Sequence, residues 1–229
     1  MLRPVKSRLT LGGNQVLDFL FTPRCAGCNR EGGYLCVACL SEAKPLPLPY
    51  FPDNAGGPNA CLVSSIYLRG VLACFAMEGA VRQAVHDLKY NGVRAIAPTL
   101  VGQMTQRVKA AGGSFDAITA VPLHPKRLRQ RGYNQAELLA KGVAKETGIP
   151  YLQALKRTGD GPPQALTRSM QERRASVQGA FAATRELRGL RLLVVDDVCT
   201  TGATLDACAQ PMMFAGAISV WGLAFAREL

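Results

Sequence analysis

The 229-residue sequence is short of acid: 16 Asp and Glu stand against 27 Lys and Arg, a formal net charge of +11. It lacks an internal repeat of a few tens of residues, which excludes solenoid and propeller architectures. It lacks both G-x-G-x-x-G and G-x-x-x-x-G-K-[ST], which removes the dinucleotide fingerprint and the P-loop. It also lacks a clean membrane span. Residues 207–226 carry no charge, but Gln210, Pro211 and Ser219 interrupt them. They read as helix, turn and buried strand. The opening MLRPVKSRLTLGGNQVLDFLF is basic, yet Gly, Asn, Gln and Asp break its apolar stretch, so it makes a poor signal peptide. A soluble, reducing, cytoplasmic setting is expected. With 48% hydrophobic and 19% charged residues, the chain can build a sizeable core and is not wholly disordered.

The excess positive charge favours polyanionic partners or phosphate-rich small molecules. It is concentrated: residues 120–175 hold 11 basic and 4 acidic side chains. That field suits a diphosphate or a nucleic-acid backbone. The aromatics there are only Tyr133 and Tyr151, thin support for a base-stacking platform.

Four of the eight cysteines fall in one block, Cys25-x2-Cys28 and Cys36-x2-Cys39, with seven residues between the pairs. Two such knuckles offer four thiolates to one ion, the usual tetrahedral zinc arrangement. A redox dithiol pair, two disulfides and an iron–sulfur cluster are the alternatives. Four protein ligands leave no open position, so the zinc is expected to be structural. The module has little core of its own, and the metal would supply most of its folding free energy. Cys61, Cys74 and Cys199 read as packed thiols. Residues 44–60 hold five prolines and two glycines, a linker or extended surface segment. The expected division is a zinc module over 1–44, a linker over 45–60 and the main domain over 61–229.

Within the main domain, 62–68 and 71–77 read as a hairpin turning at Arg69-Gly70. Val81, Val85 and Leu88 recur at helical spacing, with Gly92 as a stop. A second helix is expected over about 94–110 and a strand over 117–122. A charged loop follows at 124–132, then a helix over 133–147 and a strand over 149–155. The polar stretch 156–178 reads as a long functional loop.

The strongest signal is RLLVVDDVCTTGATLDACA, residues 191–209. Leu192 to Val195 form a continuous apolar run, as in a strand buried on both faces of a parallel sheet. It ends in Asp196-Asp197, and Thr200, Thr201, Gly202, Ala203 and Thr204 open a helix. Hydroxyls and backbone N–H groups in such a turn cradle phosphate. The carboxylates suit sugar hydroxyls or magnesium. Ligands in open α/β sheets bind at the carboxyl ends of strands. Pro211 should kink or shorten the helix, and 217–223 reads as a return strand. Alternating helices and apolar strands give an α/β fold with a mainly parallel central sheet flanked by helices.

The block LLVVDDVCTTGAT resembles the phosphoribosyl pyrophosphate (PRPP) motif of type I phosphoribosyltransferases. More closely, the chain resembles the ComF family of competence-related proteins, including GntX-like members. The cysteine module, LKYNG at 88–92, VPLHPKRLRQRGYNQAELLA at 121–140 and QALTRSMQERRASVQGAF at 164–181 carry the likeness together with the acidic pair. The resemblance implies that Asp196 and Asp197 contact ribose hydroxyls and that Thr200 to Thr204 hold the 5-phosphate. Magnesium would accompany PRPP. Lys126, Arg127 and Arg131 would neutralise the diphosphate, and Arg173 and Arg174 would close from a mobile loop. His124 reads as packing or a cap, and no general base emerges. The family is associated with bringing single-stranded DNA into the cell. The competing expectation is therefore a non-enzymatic adaptor that binds single-stranded DNA or DNA-uptake proteins through the basic loop and zinc module.

Overall fold

A computed structural model describes residues 22–48, 66–158 and 179–229. Helix α1 (Val37–Ser41) belongs to the cysteine module. The main domain runs β1 (Gly70–Ala76), α2 (Gly79–Tyr90), a 3-10 turn (Arg94–Ile96), α3 (Ala97–Ala110), β2 (Ala117–Ala120), α4 (Pro125–Arg131) and α5 (Gln135–Thr147). It continues with β3 (Leu155–Arg157), β4 (Phe181–Ala183), β5 (Arg191–Cys199), α6 (Ala203–Phe214) and β6 (Ser219–Arg227).

The central sheet has the order β1-β6-β5-β2, and every pairing in it is parallel. Parallel sheets need cover on both faces. That is why Leu192–Val195 and Val220–Ala226 carry almost no polar side chain and are buried. Helices α3 and α5 cross closely on one face, where a Cβ at Gly142 would come within 2.5 Å of Val101. Helix α6 covers the other face, with Leu205 over Gly222. The antiparallel pair β3–β4 stands apart from this sheet.

Both sheet edges are blunted, as exposed edges otherwise recruit other chains. Pro45 forms an antiparallel bridge with Phe75, and Leu46 N–H donates to the Cys74 carbonyl at 3.0 Å. Arg107 of α3 clamps this segment by donating to the carbonyls of Leu46 and Pro47. At the other edge Tyr151 bridges Ile118 in parallel.

Local chemistry sets the helix ends. Asn134 accepts from Ala136 N–H at 3.1 Å to start α5, and Gly148 ends it in the left-handed conformation. Pro98 sits in the first turn of α3, where its missing N–H costs nothing.

Several expectations change. No hairpin turns at Arg69-Gly70: Arg69 N–H donates to the Val220 carbonyl at 2.9 Å, already in parallel register with β6. The upstream backbone N–H groups of Ile66, Tyr67 and Leu68 point at the Asp206 carboxylate instead. Residues 62–65 lie outside the described residues. The charged loop at 124–132 is helical as α4. The strand at 149–155 reduces to the Tyr151 bridge, and β3 begins where it was to end. Pro211 lies inside α6, as expected, and the helix continues to Phe214. Among the described residues no helix is long and apolar enough to cross a membrane.

Candidate functional site

Strand β5 delivers its acidic pair at the carboxyl end of the sheet, next to the central β6. Successive strand residues face opposite ways. Val194 pairs with Gly222 and Asp196 with Ala224, so Asp196 shares the α6 face. Asp197 faces α2 and α5. It is 4% exposed, and both its oxygens are engaged. Lys89 Nζ lies 2.9 Å from Oδ1, and Gln135 Nε2 donates to Oδ2 at 3.4 Å. The Oε1 of Gln135 is buried with no hydrogen-bond partner. The Asp196 carboxylate accepts from Asp197 N–H at 2.9 Å. Burial and the neighbouring Asp197 charge push the Asp196 carboxyl up to about 7, against the pull of Lys89.

The turn after β5 needs Gly202, whose φ of 76° is left-handed. Thr200 and Thr201 precede it, and Thr201 Oγ1 accepts from Ala203 N–H at 3.3 Å. Ala203 and Thr204 form the first turn of α6. The Asp197 carboxylate and the orphaned Gln135 amide oxygen on the same side are hard oxygen donors, the kind magnesium takes.

The basic block sits beside this corner. His124 Nδ1 accepts from Lys126 N–H at 3.1 Å and caps α4, Pro125 occupies its first turn, and left-handed Gly132 ends it. A cleft of about 540 Å³ opens between α4 and the end of α2, lined by Lys89, Tyr90, Asn91, Gly92, Arg127, Gln130, Arg131 and Tyr133. Arg131 stacks 4.8 Å over the Tyr90 ring and Arg94 4.2 Å over Tyr133. The Tyr133 hydroxyl donates to the Leu88 carbonyl, tying α2 to the residues before α5. Of the three basic residues expected to act together, Arg127 and Arg131 line the cleft. Lys126 is exposed and does not. Arg173, Arg174 and Cys61 lie outside the described residues.

Lys89, Tyr90 and Gln135 were not singled out in the sequence. Lys89 and Tyr90 sit in the LKYNG block and Gln135 in GYNQ, so the signal was there as pattern. What the pattern lacked was the fold that carries the end of α2 to the end of β5.

At the other end of α2 lies the cysteine module. The Sγ atoms of Cys25, Cys28, Cys36 and Cys39 all fall within 4.8 Å of one another. Cys28 and Cys36 sulfurs are 3.7 Å apart. Tetrahedral bonds of about 2.3 Å give edges of about 3.8 Å, so the set fits zinc. Burial works to raise the Cys25 thiol, but the N–H groups of Cys36, Cys28 and Gly27 outweigh it and hold it down to about 6. Hydrogen bonding to Cys28, then burial, pushes Cys39 up to about 12. A divalent cation among the sulfurs would outweigh both shifts and deprotonate all four. Cys25 and Leu35 are buried against the main domain's core, and Gly27 meets Ala80 of α2. The module is therefore docked on the domain.

A model of the phosphoribosyl transferase domain matches residues 128–219, from α4 to the start of β6. Competence protein F of Haemophilus influenzae is 35% identical over 212 residues, 87% of this chain and 89% of its own length. DNA utilization protein YhgH of Salmonella typhimurium is 33% identical over 207 residues, covering 87% of each. Among solved structures, the glutamine PRPP amidotransferase from B. subtilis aligns over 56% of this chain and 26% of its own, at 25% identity and a TM-score of 0.38. The similarity over 87% of the chain, the four-cysteine cluster and the acidic corner lead to one assignment: the chain belongs to the ComF family, with an α/β phosphoribosyltransferase domain and an amino-terminal cysteine module.

Proposed function

We propose that this protein binds PRPP with magnesium at the carboxyl end of β5 and supports DNA uptake as a phosphoribosyltransferase-like protein. The observation that carries the reading is the junction itself. Asp197, on the strand that runs into the Thr-Gly turn opening α6, pairs with Lys89, and Lys89 also lines the arginine-bearing cleft. In this reading Asp196 and Asp197 take the ribose hydroxyls, and Thr200, Thr201, Gly202, Ala203 and Thr204 take the 5-phosphate. Arg127 and Arg131 take the diphosphate. Displacing diphosphate from the anomeric carbon builds positive charge on the ribose and negative charge on the leaving group. Arg131, already held over the Tyr90 ring, meets that charge with little reorganisation. Magnesium, when bound, supplies further neutralisation of the diphosphate. Arg173 and Arg174 are proposed to close over the ligand, with Lys126 aiding approach from the surface. Zinc held by the four cysteines is proposed to be structural.

Asp196→Asn with Asp197→Asn should abolish PRPP binding while zinc content stays intact. Unchanged PRPP affinity in that double variant refutes the reading.

A second reading has its own support. Lys126, Arg127 and Arg129 are exposed on α4, and Lys126 and Arg129 do not line the cleft. Relatives are named for competence and DNA utilization. An adaptor binding single-stranded DNA predicts affinity that falls steeply with salt and with neutralisation of Lys126, Arg127, Arg129 and Arg131. Salt-independent or absent binding counts against it.

A further inference from the structure

One lysine is shared by two places, a buried carboxylate and an arginine-lined cleft. Lys89 Nζ lies 2.9 Å from Asp197 Oδ1, and the same side chain lines the cleft of about 540 Å³ with Arg127 and Arg131. Gln135 occupies the other oxygen of Asp197. While Lys89 stays there, Asp197 is neutralised within the chain, and a divalent cation approaching it meets like charge. When a diphosphate occupies the cleft, the flexible four-carbon stem of Lys89 has a stronger counter-charge beside it.

We propose that Lys89 is an exchangeable counter-ion. It closes Asp197 when the cleft is empty and moves to phosphate when a diphosphate arrives, freeing the carboxylate for the metal and sugar. The proposal rests on the reading of the acidic pair given above. It adds an order: an anion in the cleft opens the carboxylate, and metal alone binds poorly.

The exchange gives opposite signs on removing one charge. In the zinc-loaded full chain, Mn2+ alone is followed by electron paramagnetic resonance, and metal-free inorganic diphosphate by calorimetry. Lys89→Met should tighten Mn2+ and weaken diphosphate, each by about tenfold, the ordinary size of coupling between adjacent sites. Lys89→Arg should leave both near the wild-type values. A purely structural role for Lys89 would weaken both. Unchanged or weaker Mn2+ binding in a folded Lys89→Met overturns the proposal. Should that variant fail to fold, Asp197→Asn carries the test. It releases Lys89 and should tighten metal-free diphosphate about tenfold. Unchanged or weaker diphosphate binding there also overturns it. PRPP binding by the wild-type chain is scored separately. Its absence refutes the sugar-phosphate reading, whereas its presence with no Lys89 effect on either probe refutes the exchange alone.

Discussion

Gly27→Ala tests whether the cysteine module and the main domain are one packed unit. A Cβ at residue 27 would lie 2.6 Å from Ala80 Cβ and 2.7 Å from Cys39 Sγ. Carbon contacts are comfortable near 3.5–4.0 Å, so about 1 Å must be found. Neither neighbour can swing away. Ala80 has no rotamer and is rooted in α2, and Cys39 is held within the four-cysteine cluster. Gly27 has no left-handed φ, so the cost is purely steric. Overpacking of this kind costs about 1–3 kcal/mol. In a chain of this size that lowers Tm by roughly 2–4 °C per kcal/mol. Urea unfolding reads the stability, and chelator-driven zinc release reads the module. Gly27→Ala should lower the midpoint and speed release. Gly33→Ala, with nothing within 4 Å of its added Cβ, should do neither. Wild-type stability and release in Gly27→Ala, or an equal loss in Gly33→Ala, would refute the docking argument.

Three further outcomes follow. The Arg191 side chain hydrogen-bonds the Asp116 carboxyl and holds it down to about 2. Its folded value lies below the ordinary one, so the contribution is present above about pH 4 and disappears as pH falls toward 2. The stability gap between wild type and Asp116→Asn in urea unfolding should shrink across that window, and a constant gap contradicts it. Arg107→Met removes the clamp on Leu46 and Pro47. Amide exchange at Leu46 should accelerate at least several-fold while the β5 amides stay protected. Asp206 accepts from the N–H groups of Ile66, Tyr67 and Leu68, the shortest at 2.9 Å. Asp206→Ala should destabilise by about 1–3 kcal/mol in urea unfolding, and a neutral result removes that anchor from the account.

The acidic corner was legible because three local rules agree there. An apolar run marks the buried strand, adjacent carboxylates interrupt it, and Gly202 marks the left-handed turn. The cysteine cluster was legible from spacing alone, since two tight knuckles leave the sulfurs few places to go. The segment 124–132 misled because its charge density hides a helix. Its real signals were His124 before Pro125 and Gly132 at the end, a cap, an N-terminal proline and a left-handed stop. The partners of Asp197 were invisible for a different reason. Lys89 is 108 positions upstream of Asp197 and Gln135 is 62, and only the sheet order β1-β6-β5-β2 brings them together. The missing hairpin has the same cause. Parallel pairing of β1 with β6 depends on the far end of the chain, which no window around Arg69-Gly70 contains.

The central claim is a working sugar-phosphate site at the end of β5. Its most direct test is calorimetric titration of PRPP into the zinc-loaded protein, with and without magnesium. The account predicts micromolar binding that requires magnesium and disappears in Asp196→Asn/Asp197→Asn. No heat and no competition at millimolar PRPP would contradict it, leaving the acidic corner a structural feature of the fold.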